Sequence, residues 1–194
     1  KPTFLELKTE TLAGVVFYLT ENKRPVNKVR FLGAASNNTF ADITLIIDRS
    51  DTSNLYKNEI ETAVKEIAAS MNDSGTLRVI SAGAMPVTEY IGKPIGVENF
   101  TLDTLKNPVT KNVAIDLALR LATNDLITAE KKRSIILISG GDTKDYSYSK
   151  YNLAELTSYM NNNSVGFSFI QVIQNAVSSE MDYIINNTCG DLYY

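Results

Sequence analysis

The chain has 194 residues, of which 44% are hydrophobic and 21% charged, with a formal net charge of −3. This is the profile of a soluble globular protein with no general attraction for nucleic acid or a membrane surface. Histidine is absent and Cys189 is the single cysteine, so Ser-His-Asp chemistry, Cys-His chemistry, ordinary zinc hydrolysis and an internal disulfide all lose their usual equipment.

In chain order, Val15–Leu19 and Val29–Leu32 flank the polar stretch Glu21–Pro25, the pattern of a hairpin or strand pair. Ala35–Thr39 reads as a linker. The apolar run Ile43–Ile47 predicts a buried strand. Ile60, Ala63, Val64, Ile67, Ala68 and Met71 then recur at helical spacing. Asp73-Ser74-Gly75 marks a turn, and Leu77–Ser81 and Val87–Ile91 predict two short strands. Glycine and proline punctuate the stretch from Gly92 to Leu105 and assign it no element. Ala114, Leu117, Ala118, Leu121 and Ala122 form a second apolar helix face. Ser134–Ser139 predicts another buried strand, and Leu153, Leu156, Tyr159 and Met160 a third helix. Phe167–Ile173 predicts a strand, and Met181, Ile184 and Ile185 a last helix ending near Gly190.

Strands alternating with helices predict an α/β fold, a doubly wound, mostly parallel sheet with helices on both faces. The expected organisation is a β-rich extension over residues 1–40 and an α/β domain over residues 41–194. No apolar run approaches the roughly 18 to 20 residues that span a bilayer, so no membrane insertion of this segment is expected. No signal peptide is visible and the chain begins with Lys1 rather than Met, so it is expected to be a piece of a longer protein.

Directly after the first buried strand comes Asp48-Arg49-Ser50-Asp51-Thr52. A strand ending in Asp-x-Ser-x-Thr before a helix puts a carboxylate and two hydroxyls at the carboxyl edge of the sheet, where open α/β sheets bind ligands. Two readings stay open: oxygen ligands for a hard cation such as Mg²⁺, or side chains that cap the following helix. As nucleophiles Ser50 and Thr52 lack a base, and nothing in the sequence places Lys57 or Lys111 as a substitute. Tyr146, Tyr148 and Tyr151 follow the strand Ser134–Ser139 on the rim side. They read as loop packing or as an aromatic binding face.

These residues resemble a von Willebrand factor A (VWA) domain over roughly Ala41 to Tyr194. The Asp48–Thr52 loop is similar to that family's Asp-x-Ser-x-Ser loop, with Thr52 keeping the second hydroxyl and Asp51 replacing a small residue. Thr110, ahead of the Ala114-Ile115 helix, resembles the family's distant Thr. Asn187–Tyr194 is similar to the family's Thr-Gly-Gly-x-Tyr-Tyr ending, and Glu21–Val26 to a β-rich lead segment of bacterial members. One position departs: where the family has Thr-Asp-Gly, this chain reads Ser139-Gly140-Gly141-Asp142. Gly140 takes the place of the second carboxylate; Asp142 and Asp145, two and five residues on, are the candidate substitutes, and the motif places neither.

The resemblance implies a metal-ion-dependent adhesion site formed by Asp48, Ser50, Thr52, Thr110 and Asp142, holding Mg²⁺, or Mn²⁺ or Ca²⁺, and weakened by the glycine. Gly140→Asp is expected to restore the missing charge. It further implies a protein-binding or adhesion module that does no catalysis. The partner would be a protein engaged through an acidic side chain, at a rim including Arg49, Asp51, Lys111, Tyr146 and Tyr148. An extracellular, cell-surface or periplasmic location follows. The alternative is an assembly module with a decayed, metal-free site that packs against other domains of its parent. A phosphoryl-transfer enzyme using Asp48 would need a placed Lys and a second acid, which the sequence does not supply.

Overall fold

In a computed structural model the described residues are 20–21, 24–25, 40–140, 145–174, 176–188 and 190–194. The chain divides into two compact units, residues 1–39 and 40–194. In the first, β1 (Thr20–Glu21) pairs antiparallel with β2 (Arg24–Pro25), setting Thr20 opposite Pro25 and Glu21 opposite Arg24. The expected strands over 15–19 and 29–32 and the linker over 35–39 lie outside the described residues.

The second unit is a six-stranded sheet built from β3 (Ala41–Asp48), β4 (Leu77–Ala82), β5 (Pro86–Gly92), β6 (Lys132–Ser139), β7 (Val165–Gln171) and β8 (Leu192–Tyr193), in the order β5-β4-β3-β6-β7-β8. All neighbours are parallel except β4 and β5, which form an antiparallel edge pair. Four helices surround it: α1 (Lys57–Ser70), α2 (Ile115–Leu126), α3 (Leu153–Asn162) and α4 (Ser179–Asn187). The glycine- and proline-rich stretch after β5 forms two 3-10 turns, Pro94–Val97 and Leu102–Thr104. The elements predicted from apolar periodicity are present. The short edge strand β8 is an addition, too brief to leave a pattern of its own.

The central strands read as continuous apolar runs because both of their faces are covered. Successive residues of β3 point to opposite sides, as the two-residue strand period requires. Leu45 and Ile47 pack with Ile60, Val64 and Ala68 of α1. Ile46 lies on the other face, in one cluster with Ile115, Ala118, Leu119 and Ala122 of α2, Leu156 and Met160 of α3, and Met181 and Ile184 of α4. On β6, Ile135 and Leu137 join the second layer and Ile138 the first.

Two helix starts carry side-chain caps: Asn152 accepts from the Glu155 N–H ahead of α3, and Ser178 from the Met181 N–H ahead of α4. Gly75, between α1 and β4, has φ +78°, and a Cβ there would stand 2.0 Å from the Ala41 carbonyl oxygen. Only glycine combines that conformation with so close an approach.

The register fixes the site. Ile47 of β3 lies beside Ile138 of β6, so Asp48 and Ser139 are the next residues on adjacent parallel strands at the carboxyl edge. On its other side Asp48 pairs with Ala82.

Candidate functional site

Asp48 ends β3 with 2% of its surface exposed. A buried carboxylate must find donors, and Asp48 finds three. Its Oδ1 accepts the Ser50 N–H at 2.8 Å. Its Oδ2 accepts the Ser53 hydroxyl at 2.7 Å and the Ser139 hydroxyl at 2.6 Å. Ser53 is itself doubly used, because its Oγ accepts the Gly140 N–H at 2.9 Å. The Ser53 N–H donates in turn to Ser50 Oγ at 3.1 Å. One carboxylate, three hydroxyls and two strand ends thus form a polar hub.

The chain turns through a 3-10 turn, Ser53–Tyr56, before α1 begins at Lys57. That turn rotates Ser53 inward and leaves Thr52 on the surface. The Thr52 N–H bonds to Asp51 Oδ1 at 2.9 Å, and Asp51 is also exposed. Ser50 Oγ plays the capping part for this turn, while α1 itself has no side-chain cap.

Thr110 lies beside the loop as a single parallel bridge to Ser50. Its carbonyl accepts the Asp51 N–H at 3.1 Å and its N–H donates to the Arg49 carbonyl at 2.9 Å. Its hydroxyl reaches the Asn112 carbonyl at 3.5 Å. The structure therefore brings Asp48, Ser50 and Thr110 to one rim and turns Thr52 outward; Asp142 lies outside the described residues.

Arg49 points away from solvent and is buried. Its Nε donates to the Asn107 carbonyl at 3.2 Å. Burial lowers the guanidinium pKa, opposed by the nearby charges of Glu89, Asp103 and Asp48. Glu89 fastens the same loop, accepting the Ser81 hydroxyl at 2.6 Å, the Asn107 N–H at 3.1 Å and the Lys106 N–H at 3.0 Å. Asn107 closes the set by donating to the Ser81 and Met85 carbonyls.

A third fastening holds the loop after β6. Asp116, in the first turn of α2 and 1% exposed, accepts the Leu117 N–H at 2.7 Å with Oδ1. Its Oδ2 takes the Lys150 N–H at 2.6 Å and the Tyr151 N–H at 2.9 Å. Tyr148 and Tyr151 are half-buried and pack against the core beneath the rim. Tyr146 falls within the 3-10 turn Asp145–Tyr148. Lys111 is exposed on the loop before α2. Leu55, Met85 and Val109, on three rim loops, are 77%, 63% and 40% exposed. Ser53, Glu89, Asn107 and Asp116 carry this architecture without being singled out by any motif, and Ser139 appears only within the Thr-Asp-Gly comparison.

No protein-family model matches the sequence, and no curated protein matches it. Solved structures do. Proximal thread matrix protein 1 (PTMP1) of the mussel byssus superposes with a TM-score of 0.62 at 16% identity, covering 79% of this chain and 41% of the mussel protein. The SpRpn10 VWA domain gives 0.60 at 17% identity, covering 79% of this chain and 87% of its own. The second unit has the von Willebrand factor A fold. The pilus adhesin SpaC of Lactobacillus rhamnosus GG is similar as well, with a TM-score of 0.59 at 12% identity over 82% of this chain and 28% of the adhesin. The chain spans well under half of the mussel protein and of the adhesin.

A VWA rim can hold a metal, and a second structure of PTMP1 has a zinc-occupied metal-ion-dependent adhesion motif. The described residues of this unit fit such an ion poorly. They contain no group of three or more Asp, Glu, His or Cys side chains placed to hold one. Asp48 already receives three hydrogen bonds, and Gly140 brings no second carboxylate. A Cβ at Gly140 would lie 2.6 Å from Tyr56 Cδ2, 3.0 Å from Val172 Cγ2 and 3.2 Å from Ser53 Cα. The expectation that Gly140→Asp simply restores a ligand therefore meets a position already filled by an aromatic ring and by backbone.

Proposed function

We propose that this VWA domain is a protein-binding module whose partner seats on the loops at the carboxyl edge of the sheet, and that it does no chemistry. One observation carries the reading: three rim loops are each fastened from beneath by buried polar side chains, Asp48 with Ser53 and Ser139, Glu89 with Asn107, and Asp116 with Lys150 and Tyr151. Loops held in one conformation before contact lose little freedom on binding. Ser53 and Ser139 are fully buried and Asp48 nearly so, so none of these three side chains faces a substrate. Asp51, Lys111, Leu55, Met85 and Val109 supply the outward surface, while Arg49, Tyr148 and Tyr151 support it from below.

The similarity to a pilus adhesin and to a byssus matrix protein supports an extracellular or surface setting. No helix among the described residues is long and apolar enough to cross a membrane. The exhausted Asp48 carboxylate favours a second reading beside it, a rim that packs against another domain of a longer parent chain.

The test is capture on the immobilised chain from the surface or secreted fraction of its source, followed by calorimetry with the recovered protein. Leu55→Ser with Val109→Ser should weaken binding, while Glu130→Ala at the amino edge of the sheet should not. Equal affinity across these variants would remove the rim from the interface. Absence of any partner in trans, with protection of the rim in a longer chain, would establish the packing reading instead.

A further inference from the structure

We infer that this rim holds its central carboxylate without a divalent cation, the hydroxyls of Ser53 and Ser139 standing in for the ion as the cross-link between the loop after β3 and the end of β6. Three observations converge. The first is saturation: Asp48 Oδ1 takes one N–H and Oδ2 takes two O–H donors, at 2.6 to 2.8 Å. Short hydrogen bonds to a charged acceptor are among the strong ones, and a cation would have to displace them or share their lone pairs.

The second is charge. Hard cations are held by carboxylate count as much as by geometry, and among the described residues Asp48 is the one carboxylate of the hub. The buried guanidinium of Arg49, on the adjacent residue, adds a positive charge, and Asp48 is among the carboxylates that oppose the lowering of its pKa by burial. Among the described residues, a divalent ion placed there would meet one negative charge and one positive charge.

The third is space. The side-chain position at Gly140 is occupied by Tyr56, Val172 and the backbone at Ser53. The Gly140 N–H is spent on Ser53 Oγ. The glycine is thus part of the lock: its lack of a side chain lets the Ser53–Tyr56 turn close against β6. A second carboxylate at this position would push that turn outward and break the Ser53 bonds rather than complete an ion's coordination. None of this depends on which partner the rim binds.

The probes are Mg²⁺, Mn²⁺ and Ca²⁺ alone, added to the full chain after treatment with a chelator. A cation site filled to about a hundred times its dissociation constant would raise the melting midpoint of a domain of this size by about 5–10 °C. The expected result is no saturable rise with any of the three ions and no loss of midpoint on chelation. Mn²⁺ should also leave the Ser53 and Gly140 amide resonances unbroadened. Gly140→Asp should melt lower than the parent and acquire no ion dependence, and Gly140→Ala should melt lower too. The parent measurement stands alone if either variant fails to fold. A saturable rise in the parent with Mn²⁺ broadening at Ser53 and Gly140, or a Gly140→Asp chain that is stabilised by the ion, would overturn the inference.

Discussion

Ser53→Ala is the sharpest perturbation of the hub, because one oxygen serves two loops. Removing it deletes the donor to Asp48 Oδ2 and the acceptor of the Gly140 N–H. A hydrogen bond to a charged group contributes about 1.5–3 kcal/mol, and a buried N–H left without a partner costs about 1–3 kcal/mol. The two losses share an atom and do not simply add, so the expected cost is about 3 kcal/mol. In a domain of this size that lowers the melting midpoint by about 6–12 °C. Urea unfolding followed by circular dichroism measures the first figure and a thermal scan the second. Ser139→Ala removes one donor to the same Oδ2 and should cost less. The double variant should fall short of the sum of the two, because both hydroxyls donate to the same Asp48 Oδ2. A Ser53→Ala cost below about 0.5 kcal/mol, the range of ordinary surface substitutions, would show that the hub does not fasten the rim.

Three further outcomes follow from other parts of the domain. Asp116→Ala strips the acceptor from the Lys150 and Tyr151 amides, and should cost about 2–4 kcal/mol with faster hydrogen exchange at those two amides; unchanged exchange there would refute its fastening role. Burial raises the pKa of Asp125, against a lowering pull from Arg78, and this carboxylate sits in the last turn of α2, the unfavourable end for a negative charge. Because its folded pKa lies above the unfolded one, its favourable contribution is complete below the unfolded pKa and is lost as pH rises through the folded one. Asp125→Asn should therefore stabilise the chain at neutral pH by a few tenths of a kcal/mol, with the gain vanishing in acid; a pH-independent difference would contradict this. Gly75→Ala should destabilise by more than about 1 kcal/mol, since its Cβ would collide with the Ala41 carbonyl oxygen, and denaturant titration checks it.

The sheet was legible because β3 and β6 are apolar on both faces, and the helices because α1 and α2 repeat their apolar residues at one face. The antiparallel orientation of β5 was not legible, since a short amphipathic strand carries no sign of direction. In the Asp48 loop the spacing template pointed to the fifth residue, Thr52. The structure uses the sixth, Ser53, because a 3-10 turn precedes α1 and advances the inward direction by one position. Ser139 stands at the first position of the Thr-Asp-Gly comparison, but its bond to Asp48 depends on being in register with that residue on a neighbour 91 positions away. Glu89 and Asp116 bind backbone amides 17 to 35 positions distant. Backbone amides have no residue type, so no sequence pattern records such partners.

The parallel register of β3 and β6, seven consecutive pairs from Ala41 beside Lys132 to Ile47 beside Ile138, has a mechanical consequence. A tether pulling on the rim loads β3 along its own axis. Parallel strands in register then resist in shear, with the whole ladder bearing tension together, whereas strands pulled sideways unzip one bond at a time. Survival of a domain under load is governed by its unfolding rate rather than by its equilibrium stability. If the proposed partner seats on the rim, the load enters at the ends of the two central strands, where the shear geometry opposes a rise in that rate.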